Sequence, residues 1–326
     1  MIRAAIVGCG NIAGFLDTPA DESRIVTHAH AYSMHPDIEL VACCDPDPEQ
    51  RERFCRIWGE TIRSYESVEA MLAAEEVQML SICAPTPFHA AAMEEALGDP
   101  HIRTIICEKP FTETVGEFER LLPLLEDTHK EVLINFMRRY DPSIRNAAQI
   151  IAGGELGEML HFSGTFTKGL YHNGSHMLEL VEHLCGPIMS VAAPSCRMEN
   201  GDLYGSFYLE TAKARGSLNN ESGDAYALFE LDVVLSRGRI RIMESGHRIE
   251  VETLQPSREY AGYYNLKPSG VLDDTMRKNL YHTVVYALSD HQGVLEAHLR
   301  LSRKLLDIKS RLCREKTLEW SRCETV

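Results

Sequence analysis

The segment Gly8-Cys9-Gly10-Asn11-Ile12-Ala13 follows a short apolar run at residues 4–7. That spacing is typical of a loop that holds a pyrophosphate. Gly8 permits a tight turn, Gly10 lets the backbone approach an anion with no Cβ in the way, and Ala13 allows the next helix to pack close to the strand. The N–H groups of Asn11, Ile12 and Ala13 would then point at phosphates. Asp45 ends the next apolar run, 39–44. A carboxylate there accepts hydrogen bonds from ribose hydroxyls and repels a 2′-phosphate, which favours NAD and leaves NADP as the second choice. The alternative is a turn aspartate ahead of Pro46. Gly8 and Asp45 are 45 − 8 = 37 positions apart, against about 20 in the usual unit. An insertion is therefore expected at residues 17–27, where a polar loop could fold over a bound ligand.

Other groups offer different chemistry. Glu108-Lys109-Pro110 closes the apolar run 104–107, and Cys83-Ala84-Pro85-Thr86-Pro87, with His89, closes the run before it. Ligands of a parallel sheet sit beyond the carboxyl ends of its strands, so both segments belong to one rim and Lys109 could reach a substrate hydroxyl. Arg138 and Arg139 follow the run 132–136 and suit either bidentate binding of a carboxylate or phosphate, or structural ion pairs. His172 and His176 share a face if a helix begins early enough, and Glu179 follows. Histidine suits proton transfer near neutral pH. Two histidines and a carboxylate can also ligate zinc, but the HExxH glutamate is missing and a dinucleotide loop is present, so no metal is expected. Tyr171, Asn173 and His183 are pocket-wall candidates by proximity. His28, His30 and His35 read as solvated or as local caps.

The elements that must position these residues alternate in type over the first 135 residues. Strands are expected at 4–7, 39–44, 79–84, 104–107 and 132–136. Helices are expected from near Asn11 and at 48–58, 68–74, 89–97 and 115–125. Such alternation implies βαβ units and a parallel sheet covered on both faces. Later the rhythm changes. A hairpin-like region with long strands is expected around 159–167 and a helix over 172–184, stopped by Gly186-Pro187. β-rich runs follow to about residue 251, and a helix spans 290–311. The fold class is α/β: a Rossmann doubly wound parallel sheet, then an α+β domain with a large, mostly antiparallel open sheet. The expected domains are 1–125, binding the dinucleotide, and 126–326, binding substrate, with helix 290–311 packing back on the first.

Composition narrows the partners. A length of 326 residues suggests two domains. The formal charge is 33 − 48 = −15, which disfavours nucleic acid and anionic membranes as partners. No stretch approaches the roughly 18 apolar residues of a membrane span, and the first apolar run is too short for a signal segment. The 10 cysteines show no CxxC pairs, as for reduced thiols in a cytoplasmic protein.

The ordered set of motifs resembles the Gfo/Idh/MocA oxidoreductase family. It comprises the Gly8 loop, Ala84-Pro85-Thr86-Pro87-Phe88-His89, Glu108-Lys109-Pro110, Asn135-Phe136-Met137-Arg138-Arg139-Tyr140, and Gly174-Ser175-His176 through Glu179 and Gly186. The resemblance covers roughly residues 1–190. It implies an NAD(P)-dependent dehydrogenase or reductase acting on CH–OH groups of a sugar, nucleotide sugar or cyclic polyol. Gly8, Gly10, Asn11, Ile12, Ala13, Asp45, Ala84, Pro85, Thr86, His89, Glu108 and Lys109 would bind cofactor. Lys109 would sit beside the nicotinamide and bind the reacting hydroxyl, with a Lys109–Pro110 bond for which cis is accessible. His176 would be the general acid/base, joined by His172; Arg138, Arg139 and Asn173 would contact substrate. The open sheet would support a homo-oligomer, a dimer or tetramer. One departure stands out: His172 occupies a position where many members have aspartate, and Glu179 one where aspartate is frequent. Two alternatives stay open: a non-catalytic dinucleotide-binding regulator of the same fold, and a reductase of a non-sugar ketone, imine or tetrapyrrole.

Overall fold

The computed structural model describes residues 1–223, 225–289 and 294–312. In chain order the regular elements are β1 (Ile2–Val7), α1 (His28–Met34), β2 (Ile38–Cys44), α2 (Pro48–Trp58), β3 (Arg63–Tyr65), α3 (Val68–Ala74), β4 (Met79–Ile82), α4 (His89–Gly98), β5 (Thr104–Cys107), α5 (Val115–Glu126), β6 (Glu131–Ile134), α6 (Pro142–Ala152), β7 (Met159–Thr167), α7 (Ser175–Cys185), β8 (Ile188–Glu199), β9 (Asp202–Thr211), β10 (Arg215–Glu221), β11 (Phe229–Leu235), β12 (Gly238–Met243), β13 (Arg248–Pro256), β14 (Tyr264–Leu272), α8 (Asn279–Ala287) and α9 (Val294–Leu312). By contacts among the described residues the chain forms two compact units: Met1–Met137 with Arg277–Asp307, and Arg138–Met276 with residues 308–312. The first reaches beyond the 125/126 division expected from sequence, because β6 pairs in parallel with β5. Of the expected helix 290–311, residues 290–293 lie outside the described residues.

Unit 1 holds a parallel sheet in the order β3-β2-β1-β4-β5-β6. Strands β4 and β5 are buried along their whole length, as befits a sheet covered on both faces. Strand order reverses between β1 and β4, the point at which such sheets bind ligands. Local chemistry sets the helix starts. Asp47 caps α2 ahead of Pro48, Ser67 caps α3, and Thr114 with Glu117 forms a capping box on α5. One expectation is corrected. The helix anticipated from Asn11 is a single π-helical turn, Asn11–Phe15, and the α-helix begins only at His28, capped by Thr27.

Unit 2 is built on an eight-stranded sheet, β14-β13-β12-β11-β7-β10-β9-β8. All its pairings are antiparallel except β7 with β10. Strand β7 is therefore no hairpin with a sequence neighbour, as its surroundings suggested: it is a central strand between β10 and β11. Burial alternates along β11 and β12, so one face is apolar and packs on helices. The other carries an ion-pair ladder, Arg239 to Asp232 at 2.7 Å and Arg248 to Glu250 at 2.5 Å. Helix α6 starts at an Asp141 cap followed by Pro142. Gly186, at φ +83, ends α7.

Candidate active site

In unit 1 the glycine loop leaves β1 at the reversal point. Gly8 has φ +86, and a Cβ there would lie 2.6 Å from the Ala84 backbone nitrogen beyond β4. Both conformation and space demand glycine. A Cβ on Gly10 would meet nothing within 4 Å, so the loop leaves open room where a phosphate would lie. Ala13 is fully buried. The tightest packing, however, falls on Gly14, which sequence reading passed over: its Cβ would strike Trp58 Nε1, and Trp58 Nε1 donates to the Gly14 carbonyl at 2.9 Å. With only one helical turn behind the loop, its free backbone N–H groups rather than a long helix dipole would hold an anion. Asp45 accepts from Cys9 N at 2.8 Å and from Asp47 N at 2.9 Å. Its carboxylate thus ties the loop to the end of β2 and keeps lone pairs for further donors.

The insertion is a locally braced loop. Buried Asp17 accepts from Val26 N at 2.7 Å and from the Thr27 hydroxyl at 2.5 Å, and lies 3.1 Å from His30 Nδ1. His30 packs on Trp58, ring centroids 5.5 Å apart. His28 and His30 are fully buried, which corrects their reading as solvated or capping residues. Helix α1 turns them into the core rather than to water. His35 keeps the local role, its Nδ1 accepting from Asp37 N at 3.3 Å.

His28 belongs to a buried chain that ends beside Lys109. Tyr32 Oη lies 2.5 Å from Ser81 Oγ, which lies 2.8 Å from His28 Nδ1. His28 Nε2 is 3.0 Å from Glu108 Oε1, and Asn135 Nδ2 donates to that oxygen at 2.6 Å. Thr283 Oγ1 lies 3.2 Å from Asn135 Oδ1. Burial alone would raise the Glu108 carboxyl, but the hydrogen bond and charge of His28, the Asn135 amide and the charge of Lys109 together hold it below its usual range. The Lys109–Pro110 peptide is cis, and Lys109 itself is half-buried. His89 is buried with Nδ1 2.9 Å from the Pro110 carbonyl and Nε2 2.7 Å from that of Ala84. It joins the Ala84-Pro85-Thr86 turn to the Lys109 loop. Pro85 is exposed and Thr86 half-buried. Ser81, Tyr32, Asn135 and Thr283 were not singled out as site residues; the lone serine within the apolar β4 was the available signal.

In unit 2, α7 begins at Ser175, after a π-helical turn Leu170–Gly174. The i, i+4 argument for His172 and His176 therefore does not apply: His172 is exposed on the turn and His176 is buried on the helix. Asp202 supports the turn, accepting from Tyr171 N at 2.8 Å and His172 N at 3.2 Å. A Cβ on Gly169 would fall on the Asp202 carboxylate, so glycine is what admits it. Asn173 donates to the Thr167 carbonyl at 2.8 Å. Arg139 donates to buried Glu179 at 2.5 Å and lies 2.7 Å from His183 Nδ1. Arg138 is buried, with Nε donating to the Ser245 carbonyl at 3.1 Å.

Residues 2–136 match the family described as an oxidoreductase family with an NAD-binding Rossmann fold. The chain is 30% identical to inositol 2-dehydrogenase of Rhizobium meliloti (strain 1021) over 158 residues, 48% of this chain and 43% of that protein. It is 27% identical to dTDP-3,4-didehydro-2,6-dideoxy-alpha-D-glucose 3-reductase of Actinomadura kijaniata over 167 residues, 51% and 46% of the two chains. The chain spans about half the length of the curated relatives it matches. Whole-length likeness appears among solved structures. The WlbA dehydrogenase from Bordetella pertussis, in complex with NADH and UDP-GlcNAcA, superposes with TM-score 0.71 at 19% identity over 98% of each chain. An oxidoreductase from Agrobacterium radiobacter, in complex with NAD+, L-tartaric acid and magnesium, gives 0.71 at 15% identity over 96% of this chain and 97% of that one. The family match thus covers residues 2–136, and the solved structures share the fold over nearly the whole chain.

Proposed function

We propose that this protein is an NAD-dependent dehydrogenase or reductase, with NADP as the second cofactor, acting on a CH–OH or keto carbon of a sugar, nucleotide sugar or cyclic polyol. The observation that carries this reading is the rim of the parallel sheet. Gly8 leaves β1 at the reversal point, against the backbone of Ala84, and Glu108-Lys109 leaves β5 on the same rim. The open space at Gly10 fits a pyrophosphate held by the N–H groups of Asn11, Ile12 and Ala13. Asp45 would take the ribose hydroxyls, and the backbone around Ala84, Pro85 and Thr86 would line the same cofactor, with His89 and Glu108 bracing it. A bound nicotinamide would accept or supply the hydride.

The chain's own residues do the rest. Lys109 binds the reacting oxygen and stabilises negative charge on it. His176 takes or returns the hydroxyl proton, with His172 as an accessory group. Arg138, Arg139 and Asn173 are the remaining substrate-side candidates. The eight free cysteines among the described residues suit a reducing, cytoplasmic compartment, and no described helix is long and apolar enough to cross a membrane. A homo-oligomer formed through the sheet of unit 2 completes the reading.

The test is direct. NADH fluorescence should change on titration with the protein, and a panel of sugars, nucleotide sugars and polyols should include one that is oxidised or reduced. Dinucleotide binding without turnover of any panel member would instead favour a non-catalytic regulator.

A further inference from the structure

Arg138 opens unit 2 and is 5% exposed. Its guanidinium lies over the Phe229 ring, 3.7 Å from the centroid. Nε donates to the Ser245 carbonyl. Nη1 and Nη2 have no hydrogen-bond partner among the described residues. A guanidinium carries five N–H donors in a fixed fork, so a buried cation here uses one of them. Burial pulls the group down to about 10, outweighing the attraction of Glu179 and Asp141. Neither carboxylate bonds to it. Glu179 is held by Arg139, and Asp141 by Ser143 N, Ile144 N and the Thr275 hydroxyl.

The surroundings determine which edge keeps its donors. The Phe229 ring lies 3.7 Å from the guanidinium carbon, and the Ser245 carbonyl occupies the Nε side. The remaining edge, Nη1 with Nη2, matches two oxygens of a carboxylate or phosphate. The carbonyl is presented by an unusual turn: Glu244, Ser245 and Gly246 have φ +52, +62 and +101. Two successive non-glycine residues in the left-handed region persist only where the surrounding structure imposes them, commonly at binding sites. A Cβ on Gly246 would lie 3.2 Å from Met276 Cγ and 3.8 Å from Arg138 Nε, so the turn packs against the guanidinium itself.

We propose that Arg138 is the receptor for an oxyanion, and that the substrate is an acidic sugar or polyol carrying a carboxylate or a phosphate. The word substrate rests on the proposed function; the anion site does not.

Calorimetric titration of the full chain tests it, with D-gluconate, glucose 6-phosphate, inorganic phosphate and neutral D-glucitol as probes. At least one anion should bind about tenfold or more tighter than D-glucitol. Arg138→Met should abolish that preference, and Arg138→Lys, which keeps the charge but not the fork, should fall between. Gluconate against glucose 6-phosphate separates carboxylate from phosphate. Equal binding of anions and D-glucitol by the wild type, or an anion preference that survives in folded Arg138→Met, would overturn the proposal. If Arg138→Met does not fold, the guanidinium 15N resonances of the wild-type protein decide: the Arg138 signals should shift on anion addition, and unmoved signals would overturn it. NADH titration on the same samples keeps the two readings apart. Wild-type protein that binds anion but not NADH leaves Arg138 standing and removes the proposed function.

Discussion

Two buried sites, one in each unit, treat their polar groups in opposite ways. In unit 1, Tyr32, Ser81, His28, Glu108, Asn135 and Thr283 form a chain in which neighbours lie 2.5–3.2 Å apart. In unit 2, Arg138 is equally buried and uses one donor of five. A satisfied network in a low-dielectric interior is rigid and holds backbone in place. An unsatisfied charge is costly until a partner arrives. The first arrangement positions the Lys109 loop; the second waits for an oxyanion.

The largest effect should come from His176→Ala, which should lower turnover by about 10²–10⁴-fold while NADH still quenches normally. Full turnover across pH would remove His176 from proton transfer. Next, His28→Leu leaves Ser81 and Glu108 buried without their shared partner, and should cost about 2–4 kcal/mol in a denaturant titration. An unchanged midpoint would mean that the unit 1 chain does not hold the fold.

The same chain has a pH signature. The folded Glu108 carboxyl sits below its ordinary value of 4.5. Its contribution to stability is therefore complete above that value and is lost as pH falls through the lower folded one. Glu108→Gln should flatten this acid limb of a melting-temperature profile, and an identical limb in the variant would assign it elsewhere. Asp45→Ala should shift the NAD-to-NADP preference about tenfold towards NADP; unchanged selectivity in Kd measurements would clear Asp45 of that role. The smallest effect sharpens the contrast most. Arg138→Met should leave stability within about 1 kcal/mol of wild type or raise it, since replacing a poorly satisfied buried charge with an apolar side chain is often neutral or stabilising. A large loss would show that Arg138 is satisfied as it stands.

Much of unit 1 could be read without coordinates. Short apolar runs punctuated by Gly8, Asp45, Pro85 and Pro110 announce strands and the loops at their carboxyl ends, because each loop follows its strand directly in the chain. Less of unit 2 was legible. Strand β10 is polar and β14 is largely exposed, and their stability comes from partners that a local window does not contain. Helix α8 was missed for a similar reason, since its tight packing against α1 involves residues far apart in sequence. The histidines show the limit best. His28 and His172 are the same residue type, yet one is buried in a hydrogen-bonded chain and the other is exposed on a π-helical turn.

By itself, then, the sequence determined the order of the strands' loops, the glycine positions that admit a dinucleotide, and the residue types available for hydride and proton chemistry. Backbone conformation at Gly8 and charge at Asp45 are local properties that a residue carries wherever it sits. Only the tertiary structure decided which polar groups have partners. His28 met Glu108 across 80 positions, Asp202 met the His172 turn across 30, and Arg138 met a carbonyl 107 positions away and no carboxylate. Burial and hydrogen-bond geometry are properties of the assembled core, and they separate a brace from a receptor.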